Sequence, residues 1–396
     1  MLEPAPRQTI AVRGGIATDT QHGAVIPPLH LSANFSFAGF GQKRDFDYTR
    51  SGNPTRQELA DVLAELECGA RGIVTASGMA AATLVLQLVR PGERIVAAHD
   101  CYGGTHRALV HLAARGQFGV EFADLTDVES ARRAITAGAR LVWIETPSNP
   151  LLRITDLRAV SALAHATGAL VVADNTFLSP ARQRPLALGA DIVIHSTTKY
   201  LNGHSDVVGG AVVAADPAVG EELAWWCNCL GLAGAPFDSW LTLRGIRTLH
   251  PRLRQHEENA ASLAMLLEAG PEVVAVHYPG LTSHPGHALA SRQQDGFGGM
   301  LSFALRGGEA AARRFVEGLR WFTLAESLGG VESLIAHPAT MTHASMSTEA
   351  RRVAGISDGL LRLSIGIEDV RDLAEDLVRG LGRAAGASPR LAGAGA

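Results

Sequence analysis

The stretch "IHSTTKYLNGHSD", Ile194–Asp206, sets Lys199 behind Ser196, Thr197 and Thr198, directly after the apolar run "ADIVI". A solvated lysine needs no such surroundings. A lysine that must reach a ligand held in a pocket does. Other polar residues stand in comparable places: Asp174 ends "LVVAD", and Asn149 lies just beyond "LVWIE". "TASGMAA" turns into a predicted helix at Gly78, and backbone N–H groups at a helix start bind phosphate. Ser196 and Thr198 alternate, so an extended chain would put both hydroxyls on one face, against the same anion. These parts suit one ligand. A phosphate would sit on the Gly78–Met79 turn and the two hydroxyls, a lysine amine would link to an aldehyde, and a buried aspartate would pair with a protonated ring nitrogen. Together they describe pyridoxal 5′-phosphate, whose protonated ring drains electrons from a substrate carbanion. Lys199 would be its covalent anchor and, once released by substrate, a proton shuttle.

Each residue alone has a plainer reading. Asp174-Asn175 and Asn149-Pro150 fit turns, and Lys199 could be a surface lysine whose stem snorkels. Their joint placement at strand ends favours a site. Neither GxxxxGK[ST] nor GxGxxG after a strand occurs, which weakens a nucleotide-binding reading.

The elements that must position these residues alternate in type. "RIVAAHD" (94–100), "ARLVWIETP" (139–147), "GALVVADNT" (168–176) and "ADIVIHS" (190–196) read as buried strands. "TDLRAVSALAHATG" reads as a helix with Thr155 as N-cap and Gly168 as its stop. Apolar strands separated by helices imply a parallel sheet covered on both faces, with ligands outside the carboxyl ends of the strands. Before about residue 60 the chain is irregular and reads as an extended arm. After about residue 250, "GGMLSFALRG" and "GLLRLSIGI" read as strands, each followed by a helix, "EAAARRFVEGL" and "VRDLAEDLVRGL", as in a smaller α+β domain. The expected division is an arm over 1–60, an α/β domain over 61–253 and an α+β domain over 254–396. The tail "AGASPRLAGAGA" is expected to fray. No internal repeat is visible.

With 396 residues, 46% hydrophobic and 19% charged, the chain suits a folded protein of two or three domains. The net charge of −4 and the lack of a basic stripe argue against nucleic acid. No apolar run approaches the roughly 20 residues of a membrane span, and "MLEPAPRQTI" has no secretion-signal pattern, so the cytoplasm is expected. Cysteines 68, 101, 227 and 229 lack zinc spacing and read as free thiols, with no metal site.

"HSTTKYLNGHSDVVGG" resembles the lysine-attachment signature of the pyridoxal-phosphate enzymes of cysteine and methionine metabolism, the trans-sulfuration family. "DYTRSGNPTR", "HDCYGGTHR", "ETPSNP", "VVADNTF", "FTLAESLGGVESLIAHPATMTH" and "LLRLSIGIED" are similar to its other hallmarks, in order, from about residue 8 to 380. The resemblance implies the aspartate-aminotransferase-like fold, type I among these enzymes. It implies that Lys199 carries the cofactor, that Asp174 holds the ring N–H, and that Tyr102 stacks on the ring and acts as acid/base. Gly78, Met79, Ser196 and Thr198 would bind the phosphate, with Thr176 in the same cofactor site. Tyr48 and Arg50 would reach the phosphate of a neighbouring subunit. Asn149, Ser327 and Arg362 would hold a substrate carboxylate, the arginine by a fork. Glu326 would sit near the distal end of the substrate, and Arg107 of "HDCYGGTHR" in the substrate site. Without the resemblance, Tyr102 reads as core packing, Arg362 as a solvated strand edge and "AESLGG" as a loop.

The implied reaction is γ-replacement, joining an O-acyl-L-homoserine, with succinyl as the expected acyl group, to L-cysteine. The same chemistry run as γ-elimination from cystathionine or methionine stays open. One position departs from some close synthases of the family: Ser51 stands where those carry a second arginine, which leaves the acyl group open. Glu326 suits a charged amino acid better than a thioether tail, and the intact Lys, Asp and Tyr set argues against a non-catalytic binding protein. The family also implies a homotetramer, a dimer of dimers with shared active sites.

Overall fold

The computed structural model describes residues 6–344 and 348–386; the expected fraying of the tail lies mostly outside them. Seven strands form the central sheet: β1 Arg71–Thr75, β2 Arg94–Ala98, β3 Gly119–Ala123, β4 Leu141–Glu145, β5 Leu170–Asp174, β6 Ile192–His195 and β7 Gly210–Ala214. Their order is β1-β7-β6-β5-β4-β2-β3. The pairs among β2 to β6 are parallel, while β7 runs antiparallel to both β6 and β1. The four strands expected from the sequence are β2, β4, β5 and β6, at the centre. Val96, Val142, Ile144 and Val171 pack on one face, and Ile95, Leu141, Trp143 and Val172 on the other. Burial on both faces is why these runs read as continuous apolar strings.

The helix predicted between β4 and β5 spans Leu157–His165, and its cap is Asp156, whose carboxylate accepts from the Ala159 N–H. Thr155 is buried instead and donates its N–H to Thr146 Oγ1 at 3.1 Å. Gly168 closes the following turn with φ +77°. The stretch before residue 60 is less irregular than expected. Helix Arg7–Arg13 lies there, and helix Pro54–Glu67, capped by Asn53, runs across residue 60. Residues 14–53 are irregular, with isolated bridges Asn34–Tyr48 and Gly39–Gln42.

Helix Leu249–Glu268 crosses residue 253 and leads to a second sheet: β8 Val273–His277, β9 Met300–Leu305, β10 Thr323–Leu324, β11 Leu334–Ala336 and β12 Leu360–Ser364, in the order β10-β11-β12-β9-β8. Helices Gly308–Val316 and Val370–Ala384 follow β9 and β12 as expected. Phe303, Phe315, Leu363, Leu373 and Leu377 form their common core. Each such side chain contributes roughly 1.5–3 kcal/mol on burial. Among the described residues no helix is long and apolar enough to cross a membrane.

Candidate active site

The carboxyl ends of β4, β5 and β6, the start of helix Gly78–Val85 and loops from the second sheet enclose a cavity of about 300 Å³. Gly78, Met79, Tyr102, Asn149, Asp174, Thr176, Ser196, Thr198, Lys199, Glu326, Ser327 and Arg362 all line it, residues drawn from along most of the chain. Tyr48, Arg50 and Arg107 do not line it. Arg107 is exposed on helix Gly103–Ala114. The Arg50 Nε donates to Asn228 Oδ1 at 3.1 Å, and its guanidinium lies 5.5 Å from the Tyr48 ring centroid.

Lys199 Nζ donates to Ser327 Oγ at 2.7 Å. Burial, with Arg362 nearby, pulls its pKa down to about 8, partly opposed by Glu326. Ser327 sits at φ +86°, an uncommon conformation for a side-chain-bearing residue, so "AESLGG" is a shaped wall rather than a passive loop. Gly329 makes that shape possible: at φ +76° it lies so close that a Cβ would stand 2.7 Å from the Tyr200 nitrogen.

Arg362 is 3% exposed on β12, flanked by β11 and β9, and so is no edge residue. Its Nη1 donates to Asn149 Oδ1 at 3.0 Å and its Nη2 to the Ser327 carbonyl at 2.9 Å. Its buried Nε has no protein partner. Burial lowers its pKa to about 10, which still leaves a cation at neutral pH.

Strand β6 stops at His195, and residues 197–200 form a turn rather than continuing extended. Ser196 and Thr198 nonetheless face the cavity together, while Thr197 is buried. The Ser196 N–H is held by Thr176 Oγ1 at 2.9 Å. Gly78 packs directly on Ser196, where a Cβ would come within 2.8 Å of the serine Cβ. The helix behind it is capped by Ser77, whose hydroxyl accepts from the Ala80 N–H. Two hydroxyls and a helix start, kept open by a glycine, suit a phosphate.

Asp174 accepts from the Thr176 N–H at 3.0 Å. Burial raises its pKa, opposed by Thr176 and His195. Sequence reasoning did not single out Glu145, its cross-strand partner on β4. Glu145 lines the cavity and its Oε2 accepts from the Tyr102 N–H at 2.7 Å. Burial, then Asp174, pushes its carboxyl well above the usual range. The signal was present as the polar end of "LVWIE". Tyr102 is 43% exposed at the cavity, not packed in a core. A lysine with a lowered pKa, a half-buried aspartate at the end of β5 and a phosphate cradle fit pyridoxal 5′-phosphate.

The fold and site define a pyridoxal-phosphate enzyme of the type I α/β fold. Residues 8–382 match the family model described as Cys/Met metabolism PLP-dependent enzyme, and the chain belongs to that family, with pyridoxal 5′-phosphate as its cofactor. It is 54% identical to cystathionine gamma-synthase of Escherichia coli (strain K12), over 94% of this chain and 97% of that protein. It is 46% identical to cystathionine gamma-lyase of Bacillus subtilis (strain 168), over 95% and 99%. The crystal structure of cystathionine gamma synthase from Xanthomonas oryzae pv. oryzae in complex with cystathionine superimposes with a TM-score of 0.96. It is 62% identical, covering 97% of this chain and 100% of that one.

Proposed function

We propose that this trans-sulfuration enzyme catalyses γ-replacement, joining O-succinyl-L-homoserine to L-cysteine to give L-cystathionine in methionine biosynthesis. The observation that carries the reading is Lys199 in hydrogen-bond reach of Ser327, beside the Arg362–Asn149 pair. This puts a mobile base next to a carboxylate clamp. The 62% identity to a synthase crystallised with cystathionine supports the same choice.

Bound pyridoxal phosphate supplies an aldehyde for covalent attachment and an electron sink. Lys199 would anchor it and then, freed by the substrate amine, take the α-proton on Nζ. A pKa of about 8 leaves a useful fraction of neutral amine near neutral pH. Replacement also needs a β-proton moved and the γ-acyl group expelled, and one released lysine can serve several of these transfers. Asp174 holds the ring N–H, Tyr102 covers the ring and exchanges a proton with the substrate amine, and Thr176 orients Ser196. Gly78, Met79, Ser196 and Thr198 hold the phosphate. Asn149, Ser327 and Arg362 orient the substrate carboxylate, and Glu326 lies toward its distal end.

On this reading residues 1–60 are an arm, 61–253 the cofactor domain and 254–396 the C-terminal domain. Tyr48 and Arg50 serve the phosphate of a neighbouring subunit, in a cytoplasmic homotetramer built as a dimer of dimers. Val25, Leu31, Phe37 and Phe40 stand exposed on the arm, apolar surface that a partner chain would cover.

The identity to a γ-lyase favours a second reading: γ-elimination from cystathionine to cysteine, 2-oxobutanoate and ammonia, or the corresponding reaction of methionine. Incubation with O-succinyl-L-homoserine, with and without L-cysteine, and separately with L-cystathionine alone, separates the two. Cystathionine as main product with cysteine present supports the synthase. 2-Oxobutanoate released from cystathionine at a higher kcat/KM overturns it.

A further inference from the structure

The mechanism above leaves one buried ionisable group in the cavity without a task. Glu145 ends β4 between Asp174 of β5 and the loop after β2, and it is 5% exposed. Its Oε2 accepts from the Tyr102 N–H at 2.7 Å, and the Asn149 backbone lies near enough to oppose, in small part, the rise that burial imposes on this carboxyl. Tyr102 is the N-cap of helix Gly103–Ala114 and makes no side-chain cap of its own. Asn149 is held on its other sides as well: Oδ1 accepts from Arg362, and its carbonyl lies 3.2 Å from His343 Nε2. Both residues line the cavity.

We propose that Glu145 is a positioning residue: by accepting the backbone N–H of Tyr102, the first residue before helix Gly103–Ala114, it fixes the ring-stacking wall against the end of β4. The inference rests on the reading of this cavity as the cofactor and amino-acid site. A buried donor stripped of its acceptor costs more than an average hydrogen bond contributes, so the wall must shift when the acceptor goes. A loosened wall weakens the hold on the flat cofactor. A displaced Tyr102 also loses its place beside the substrate amine, so an amino acid bound on the cofactor is held less tightly. The charge on Glu145 is not what the role needs, because burial beside Asp174 disfavours a second anion there. The role needs an oxygen at the right reach.

Three substitutions separate these features. Glu145→Gln keeps an acceptor oxygen at full reach and removes the charge. Glu145→Asp keeps the carboxylate and withdraws it by one methylene. Glu145→Leu fills the space without an acceptor. Two binding constants are read: that of pyridoxal phosphate for the cofactor-free protein, and that of L-norvaline, which has no γ-leaving group, for the holoenzyme. Melting curves show whether each variant is folded. Both constants should rise about tenfold in Glu145→Asp and Glu145→Leu and return to within about threefold of the parent in Glu145→Gln. Should Glu145→Leu not fold, the Asp and Gln variants carry the comparison alone. Unchanged constants in Glu145→Asp, or a Gln variant as weak as the Asp variant, overturn the proposal. Neither constant depends on which γ-reaction the enzyme performs. A parent protein that binds neither compound would instead refute the reading of the cavity.

Discussion

Arg362, on β12 of the second sheet, and Asn149, in the turn after β4 of the central sheet, lie 213 residues apart, yet Nη1 donates to Oδ1 at 3.0 Å across the cavity. The guanidinium is fixed by Asn149 on one arm and by the Ser327 carbonyl on the other. Its buried Nε has no protein partner. A planar cation held this way offers a directed fork that an ammonium cannot copy. Arg362→Lys should therefore raise KM for amino-acid substrates by at least about tenfold, at the scale of one lost charge-assisted bond. Steady-state kinetics decide it: an unchanged KM would make Arg362 structural only.

The sequence holds two lysines, Lys43 and Lys199, so covalent labelling can be read without ambiguity. An ordinary lysine stays charged up to a pH of about 10.4. Burial and Arg362 bring Lys199 to about 8, so its neutral amine becomes the major form above pH 8. The cofactor-free protein, exposed to pyridoxal phosphate and borohydride at pH 6 to 10, should be labelled at Lys199 at a rate rising through about pH 8. Peptide mapping identifies the site. Label on Lys43 alone, or a midpoint near that of free lysine, contradicts the assignment. Lys199→Ala should lose turnover altogether.

Asp174→Asn replaces a half-buried carboxylate at the cavity by an amide that cannot balance a ring N–H⁺ by charge. The variant should retain some cofactor and lose about a hundredfold or more in kcat, the range for removing one preorganised electrostatic partner. Turnover must be compared at equal cofactor content, read from the visible absorbance. Near-parental kcat would remove Asp174 from the mechanism.

Gly78→Ala tests the phosphate cradle. The added methyl would meet Ser196 Cβ at 2.8 Å and its hydroxyl at 3.1 Å, so helix or serine must shift. Overpacking of this kind costs roughly 1–3 kcal/mol. Because the clash lies at the cavity wall, it should appear as a cofactor dissociation constant raised about tenfold, with little loss in melting temperature. Equilibrium dialysis against pyridoxal phosphate measures it, and parental affinity would mean that the phosphate sits elsewhere.

How far the sequence could be read depended on where each residue sits. β2, β4, β5 and β6 are covered on both faces and announce themselves as apolar strings. β3 lies at the sheet edge, half-buried and carrying Glu121, so its "GVEFA" has no such signature. "GAVVA" of β7 is fully buried, but five residues after a long turn do not reveal an antiparallel return. The strand-end residues Asp174, Asn149 and Lys199 were legible because local sequence fixes their place. Arg362 and Ser327 were not, apart from the family resemblance. Their role depends on two sheets meeting, and no spacing along the chain encodes that contact. Glu145 was not legible because its hydrogen-bond partner is a backbone N–H, that of Tyr102, which leaves no mark in residue type.

The last prediction concerns the arm. Tyr48 and Arg50 lie in an irregular stretch, away from the cavity of their own chain, and the Arg50–Asn228 contact holds them at the surface. If they complete the phosphate site of a neighbour, each active site contains residues of two chains. Two impaired variants, Lys199→Ala and Arg50→Ala, then complement one another. In a mixed dimer, the site using Lys199 of the Arg50→Ala chain receives Arg50 from the Lys199→Ala chain and is wholly parental. The other site carries both defects. Random pairing in a symmetric dimer makes about half of the dimers mixed, so about a quarter of all sites should recover. Co-expression with two affinity tags isolates the mixed species, in which about half of the sites should be active. Turnover is compared with each variant alone. If Arg50→Ala is itself severely impaired and verified mixed dimers show no recovery, Arg50 serves its own chain or the fold, and the shared site is wrong.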